Sequence, residues 1–170
     1  MYDSLAAVTA ALYAGLSEDE ICRGLLNFEG AAGRQKVYNE KGVTIIDDTY
    51  NAVPSSMKAA FDLLRNLDCS GKRIAVIGDM LELGEYSSQL HYEVGEALTG
   101  IDVAIAYGNF ADDYLRGAKV AGVSEDSIFI AKDTSHAAEI LSSVAAEGDG
   151  ILFKASRGMH AEEVIKGFLA

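Results

Sequence analysis

Residues 43–54 read VTIIDDTYNAVP, and this stretch decides which fold the chain can adopt. Val43-Thr44-Ile45-Ile46 predicts a buried strand, because β-branched residues dominate it and the turn signal Glu40-Lys41-Gly42 precedes it. Two carboxylates, a hydroxyl, a phenol and an amide follow directly, and a helix start follows Pro54. A strand that ends in a polar cluster and turns into a helix is typical of open α/β sheets, whose ligands bind beyond the carboxyl ends of the strands. The stretch therefore predicts a small-molecule site at 47–51.

Short apolar segments alternate with helical patterns from this stretch to the end of the chain. Gln35 to Asn39 and Val43 to Asp47 predict an antiparallel hairpin. Further strands are predicted at 73–77, 102–107, 127–131 and 150–154, and helices at 55–67, 87–99, near 109–121, 134–146 and 159–169. Such alternation indicates a parallel sheet covered on both faces. The predicted fold class is α/β, a three-layer sandwich with five parallel strands plus one antiparallel hairpin strand.

Residues 1–33 have a different pattern and predict an N-terminal helical appendage. Apolar residues recur there at helical spacing, and Gly15 ends the first helix. Ser17 and Glu20 form the capping-box pattern at the start of a second helix. The small residues at 30–33 predict a flexible joint, so we expect a domain boundary after residue 33.

Composition and charge exclude several classes of protein. The chain of 170 residues carries a net charge of −12 and has no basic run, which argues against a nucleic-acid partner. Cys22 and Cys69 lie far apart without a CxxC motif, so we expect free thiols in a reducing compartment. No signal-peptide pattern opens the chain, and no apolar run is long enough for a membrane span. These observations predict a cytoplasmic protein that binds neither nucleic acid nor membranes.

Polar side chains recur directly after the predicted parallel strands. They lie at 47–51, at Gly78-Asp79-Met80-Leu81-Glu82-Leu83-Gly84 and at Lys154-Ala155-Ser156-Arg157. Because parallel topology brings the loops after all strands to one edge of the sheet, we expect these groups to line one crevice. Carboxylates with Lys154 and Arg157 among them suit a ligand that carries both charged groups and hydroxyls.

A nucleotide fits these residue types. An Asp at a strand end commonly accepts hydrogen bonds from ribose hydroxyls. Tyr50 or Asn51 can stack on a purine or form hydrogen bonds with it. Lys154 and Arg157 can neutralise a carboxylate or a transferring phosphoryl group.

Structural roles remain open for some of the same residue types. Asp47 or Asp48 can simply cap the helix that follows. His91 lies inside a predicted helix, where a histidine is more often structural than catalytic. His136 and His160 lack metal-ligand spacing with each other or with His91, so no metal site is predicted.

Three familiar motifs are absent from the sequence. It contains no GxxxxGK[ST] P-loop, no GxGxxG after a strand and no GxSxG nucleophile elbow. The expected crevice therefore has no phosphate-cradling loop of the usual kind.

The chain resembles the Mur ligase family. The resemblance is carried by Asp47-Asp48-Thr49-Tyr50-Asn51-Ala52, by the segment 78–84 with His91 downstream, and by 154–157. Gly33-Arg34 also fits, because the C-terminal domain of the family opens with a Gly-Arg pair. The chain departs from the family pattern at Val53, where Asn is frequent, and at Ala155, where Gly is usual.

The resemblance implies an ATP-dependent amide-bond ligase of peptidoglycan synthesis. Residues 1–33 would be the helical end of the central ATPase domain, and 34–170 the Rossmann-like C-terminal domain. The implied reaction adds D-alanyl-D-alanine to UDP-N-acetylmuramoyl-tripeptide, uses ATP with Mg²⁺ and releases ADP and phosphate. The metal ligands would lie mainly on the central domain, the enzyme would be a monomer, and this chain alone would be inactive.

The resemblance also implies roles for individual residues. The implied catalytic residues are Arg34, which would reach the ATP phosphates, and Lys154. Asp48 would hold the ribose, with Tyr50 and Asn51 beside the adenine. The residues implied for the dipeptide side are Asp79, Glu82, Ser156 and Arg157.

Two other readings fit the topology. A receiver domain of two-component signalling would use Asp47-Asp48 as its acidic pair, Asp79 as its phosphoacceptor and Lys154 as its lysine. The helical appendage, the hairpin and the loop 78–84 argue against it. A stand-alone nucleotide-binding module is the third reading, and an upstream P-loop region in the reading frame would exclude it.

Overall fold

The structure is a computed structural model that describes residues 2–28 and 33–170. The chain divides into two compact units, with the division between residues 30 and 31. The predicted joint at 30–33 lies largely outside the described residues, and the boundary predicted after residue 33 stays a prediction.

The first unit contains two helices in its described part. Helix α1 spans Tyr2–Tyr13 and helix α2 spans Glu18–Leu26. The predicted capping box is present, because Ser17 Oγ accepts a hydrogen bond from the Glu20 N–H while the Glu20 carboxylate accepts one from the Ser17 N–H.

In the described part of the second unit, six strands form one sheet. They are β1 Lys36–Glu40, β2 Val43–Asp48, β3 Arg73–Gly78, β4 Val103–Tyr107, β5 Ile128–Ala131 and β6 Gly150–Lys154. The spatial order is β1-β2-β6-β3-β4-β5, with β1 antiparallel to β2 and the other neighbours parallel. The predicted sheet of five parallel strands plus one antiparallel hairpin strand is therefore confirmed.

Helices cover both faces of this sheet. Helices α3 Pro54–Arg65, α4 Ser87–Gly95 and α5 Ala111–Val120 pack on one face, and α6 Thr134–Val144 and α7 Ala161–Leu169 pack on the other. Each face has its own buried apolar cluster, so the three-layer sandwich is confirmed as well.

Each of the five helices in the described part of the second unit differs from its predicted bounds, and for two of them the structure shows the reason. The predicted helix 87–99 ends as an α-helix at Gly95 and continues as a 3₁₀ turn. The Arg65 side chain binds the carbonyl oxygens of Ala97 and Thr99 there. Helix α5 begins two residues later than predicted, because the N–H groups of residues 109 and 110 are bound by a carboxylate from the loop after β3.

The position of β6 determines where polar side chains meet. This strand lies between β2 and β3, and Lys154 at its end is in register with Asp48 on one side and Ile77 on the other. The carboxyl ends of three parallel strands therefore lie side by side at one edge of the sheet.

Within the described ranges, no helix is long and apolar enough to cross a membrane.

Candidate functional site

A buried ion pair joins the ends of β2 and β6. Lys154 Nζ donates to Asp48 Oδ2 at 2.5 Å and to the Asn51 carbonyl oxygen at 2.9 Å, and 2% of the lysine side chain is exposed. Asp48 Oδ1 accepts a hydrogen bond from the Gln35 N–H at 3.2 Å. Removing two charges from water is costly unless hydrogen bonds satisfy them, and these contacts do so. The pair therefore fixes the chain between residues 48 and 51.

Tyr50 and Arg34 lie on the outer side of the same loop. The Tyr50 N–H donates to the Gly33 carbonyl oxygen at 2.8 Å, and Tyr50 is 44% exposed. The Arg34 guanidinium carbon lies 4.0 Å from the centroid of the Tyr50 ring, which is a cation–π contact. The loop thus presents an aromatic ring and a cation beside the buried carboxylate.

A cleft of about 390 Å³ opens beside this loop. The loop after β2 forms one wall, the loop after β3 forms the other, and the turn after β6 contributes the rest. The lining residues are Tyr50, Asn51, Ala52, Val53, Leu81, Glu82, Leu83, Ser156, Arg157 and Gly158. The structure thereby brings together the predicted nucleotide and dipeptide residues at one edge of the sheet.

Ser156 ties the two walls together. Its hydroxyl accepts the Leu81 N–H at 2.9 Å and donates to the Ala52 carbonyl oxygen at 3.3 Å. Its own N–H donates to the Asp79 carbonyl oxygen at 3.1 Å, and the residue is buried. A single short side chain from the β6 turn therefore holds the loops after β2 and β3 in place.

Glu82 and Arg157 are the exposed charged residues that line the cleft. Glu82 adopts a left-handed backbone conformation with φ of 65°, which is uncommon outside glycine. The Arg157 side chain is 66% exposed, and its nearest carboxylate oxygen is Glu162 Oε1 at 3.8 Å. Both side chains are accessible to a ligand in the cleft.

Asp79 lies beneath the cleft, with 1% of the residue exposed. Its two carboxylate oxygens accept the N–H groups of Asn109 at 2.7 Å and Phe110 at 3.1 Å. The tight approach depends on Gly108, where a Cβ atom would lie 2.4 Å from the carboxylate. Asp79 therefore holds the turn after β4 against the loop after β3. Such a buried, bonded carboxylate is also a poor phosphoacceptor, which disfavours the receiver reading.

His91 supports the loop after β3 from below. It is fully buried, its Nε2 accepts the Met80 N–H at 2.9 Å, and its Nδ1 consequently carries the proton and donates to the Ser87 carbonyl oxygen at 2.6 Å. Burial lowers the pKa of His91, while the Ser87 carbonyl and the nearby carboxylates of Asp79 and Asp113 partly oppose that shift. The neutral imidazole is a structural acceptor, in line with its structural interpretation.

Sequence reasoning missed one charged residue at this edge. Glu162 lies in the first turn of α7, near Arg157 and with Oε1 also 3.8 Å from His160 Nδ1. Its Oε2 is buried without a hydrogen-bond partner in the described part of the chain. The only sequence feature that marks Glu162 is its place as an acidic residue in the first turn of a helix, which usually indicates only a favourable interaction with the helix dipole.

Among the described residues, no group of three or more His, Cys, Asp or Glu side chains is arranged to hold a metal ion.

Residues 33–157 match the family model described as Mur ligase, glutamate ligase domain. The chain therefore belongs to the Mur ligase family. It is 34% identical over 170 residues to the UDP-N-acetylmuramoyl-tripeptide–D-alanyl-D-alanine ligase of Bacillus subtilis, a match that covers 98% of this chain and 37% of that protein.

Solved structures give the same result. The MurF ligase from Thermotoga maritima in complex with ADP matches with a TM-score of 0.80 and 33% identity, over 96% of this chain and 36% of that one. A MurF structure from Acinetobacter baumannii matches with a TM-score of 0.88 and 32% identity, over 98% of this chain and 36% of that one. The chain thus spans little more than a third of the length of these relatives.

Proposed function

We propose that the chain is the C-terminal domain of an ADP-forming ligase that adds D-alanyl-D-alanine to UDP-N-acetylmuramoyl-tripeptide in peptidoglycan synthesis. The observation that carries this proposal is the match of nearly the whole chain to ligases named for that reaction. The cleft supports it, because one side presents an aromatic ring and an amide (Tyr50 and Asn51) and the other presents two charged side chains (Glu82 and Arg157). Residues 1–33 are proposed to be the helical end of the preceding ATPase domain, and 34–170 the C-terminal domain.

The loop after β2 is proposed to hold the adenosine part of ATP. Asp48 would accept hydrogen bonds from the ribose hydroxyls, since each carboxylate oxygen has a second lone pair beside the one already used. Tyr50 would stack on the adenine, and Asn51 would form hydrogen bonds with it. Arg34, beside Tyr50, is proposed to reach the phosphates. A relative solved with ADP supports the use of this nucleotide.

The other wall is proposed to receive D-alanyl-D-alanine, which carries an ammonium group and a carboxylate. Arg157 suits the carboxylate because a guanidinium can bind it through two hydrogen bonds. Glu82 suits the ammonium group. Asp79 and Ser156 would serve this side by holding the loop that carries Glu82.

Magnesium is proposed to act with ATP, where it would neutralise charge on the phosphates. The residues that the structure describes contain no cluster that fits the ion, so its ligands are proposed to lie in the part of the ligase that this chain does not span.

Because the reaction consumes ATP, we place it in the cytoplasm, and we propose that the enzyme acts as a monomer.

The decisive experiment is steady-state ligation by the complete protein that contains this chain. ADP release should require UDP-N-acetylmuramoyl-tripeptide and D-alanyl-D-alanine together, and single amino acids should replace the dipeptide poorly. Faster turnover with another amine would show that the proposed acceptor is wrong. Stoichiometric phosphate labelling of Asp79 by acetyl phosphate would instead favour a receiver domain.

A further inference from the structure

We propose that Lys154 is a positioning residue of the nucleotide site, which acts through Asp48 and Asn51 and does not contact the reacting atoms. The inference rests on the proposed function and changes the role that the family resemblance implied for this lysine. It is drawn from the buried contacts of the Lys154 ammonium group.

The Lys154 ammonium group already donates hydrogen bonds to Asp48 and Asn51, which belong to the same compact unit. Of its three N–H donors, one binds Asp48 Oδ2 at 2.5 Å and one binds the Asn51 carbonyl oxygen at 2.9 Å. The Lys154 side chain is almost entirely buried, with 2% exposed against 10% for the Asp48 side chain. To reach a transferring phosphoryl group, Lys154 would have to leave a buried carboxylate without its counter-ion, which is costly.

The same contacts fix the groups proposed to touch the nucleotide. One ammonium group holds the Asp48 carboxylate and, three residues later, the Asn51 main chain. Tyr50 lies between these two anchored points. Lys154 therefore sets the orientation of the ribose acceptor and the position of the aromatic ring together.

This arrangement makes a kinetic prediction that separates positioning from catalysis. In the complete ligase, Lys154→Met should raise the KM for ATP by about tenfold or more, because several nucleotide contacts lose their fixed geometry. The KM for D-alanyl-D-alanine should stay within about twofold, and kcat at saturating ATP within about threefold. A large fall in kcat with an unchanged KM for ATP would overturn the proposal.

Asp149→Asn is the matched control. Asp149 is as deeply buried as Lys154 but lies at the opposite edge of the sheet, where it accepts the N–H groups of Lys72 at 2.7 Å and Ala146 at 2.8 Å. This variant should lower the melting temperature while leaving the KM for ATP unchanged. An equal rise in the KM for ATP in both variants would show that the Lys154 effect is only a loss of stability.

Direct binding keeps the test valid if Lys154→Met does not fold. The double variant Asp48→Asn, Lys154→Met removes both charges of the pair, and its ADP affinity by calorimetry should lie about threefold or more below that of Asp48→Asn alone, because the Asn51 carbonyl oxygen also loses its donor. A kcat far below that of Asp48→Asn would overturn the proposal. If the wild-type ligase releases no ADP with any amine, the proposed function fails, whereas calorimetry with ADP still tests the role of Lys154.

Discussion

Tyr50 and Arg34 contact each other, although we propose that they bind different parts of the nucleotide. Its ring is exposed at the cleft, and the Arg34 guanidinium lies over one face at 4.0 Å. An aromatic ring can hold a cation on one face and a base on the other. Adenine binding on the open face would leave Arg34 in place, and binding on the covered face would release it. In both cases the nucleotide uses the ring and not the hydroxyl.

Substitutions at Tyr50 test this single-residue role. In the complete ligase, Tyr50→Ala should weaken ADP binding by about 1–3 kcal/mol, the usual value of a base–aromatic stack. Tyr50→Phe is the control and should bind ADP like the wild type, because it keeps the ring. Calorimetric titration of both variants measures the difference. Equal losses in both would assign the contribution to the hydroxyl.

At the scale of single residues, the sequence predicted which side chains lie at the same edge of the sheet, but it did not predict which atoms contact each other. In the sequence pattern Asp48 follows one predicted strand and Lys154 ends another, which is enough to place both at one edge of the sheet. Their direct contact joins positions 106 residues apart and depends on which strand lies beside β2. Asp79 illustrates the same limit, because its burial depends on the turn after the distant strand β4.

At the scale of elements, the strands were predicted within one or two residues of their ends. Each strand is a local run of β-branched and apolar residues with turn signals at its ends, so the pattern alone is informative. The order of the strands is not local information. Nothing in the composition of 150–154 indicates that this strand lies between β2 and β3, although the whole cleft depends on it.

The loop after β3 is an element whose stability should depend on pH. Because burial lowers the pKa of His91, the unfolded chain binds a proton on this residue at a higher pH than the folded protein does. The free energy of unfolding should fall as the pH drops below about 6.5, the ordinary histidine pKa, by up to about 1.4 kcal/mol per pH unit from this residue. Urea unfolding between pH 7.5 and about 5 measures the slope.

His91→Gln isolates the contribution of this histidine. The variant should be less stable at neutral pH, because the glutamine amide can accept the Met80 N–H but leaves the Ser87 carbonyl oxygen without its donor. Its stability should fall less steeply on acidification. Nitrogen NMR of the wild type should show the neutral Nδ1–H form of His91. Parallel slopes in wild type and variant would contradict the prediction.

At the scale of the whole molecule, we propose that the chain provides only part of a catalytic centre. It spans 36–37% of the length of the relatives that it matches, and its sequence contains no P-loop. The residues proposed to contact adenosine and the dipeptide lie at one edge of its sheet, and Tyr50, Asn51, Glu82 and Arg157 line the cleft there. Contacts to the first substrate and to most of the phosphates would come from elsewhere. Ligation should therefore require the remaining two thirds of the protein.

Assays of this chain by itself test whether ligation requires the rest of the protein. We expect no ADP release above background with ATP and D-alanyl-D-alanine, and only weak ADP binding by calorimetry. The complete ligase assayed in parallel is the positive control. ADP release by the isolated chain would show that it holds a phosphate site outside the contacts described above.

The central place of β6 also has a consequence for the order in which the chain is synthesised. This strand is the last of those described, yet it separates β2 and β3, which leave the ribosome much earlier. Until residues 150–154 emerge, the nascent chain has two strand edges without their shared neighbour and an Asp48 without its lysine. Exposed edges of this kind favour aggregation. Until β6 has been made, a nascent chain therefore cannot form the Asp48–Lys154 contact that holds the loop after β2.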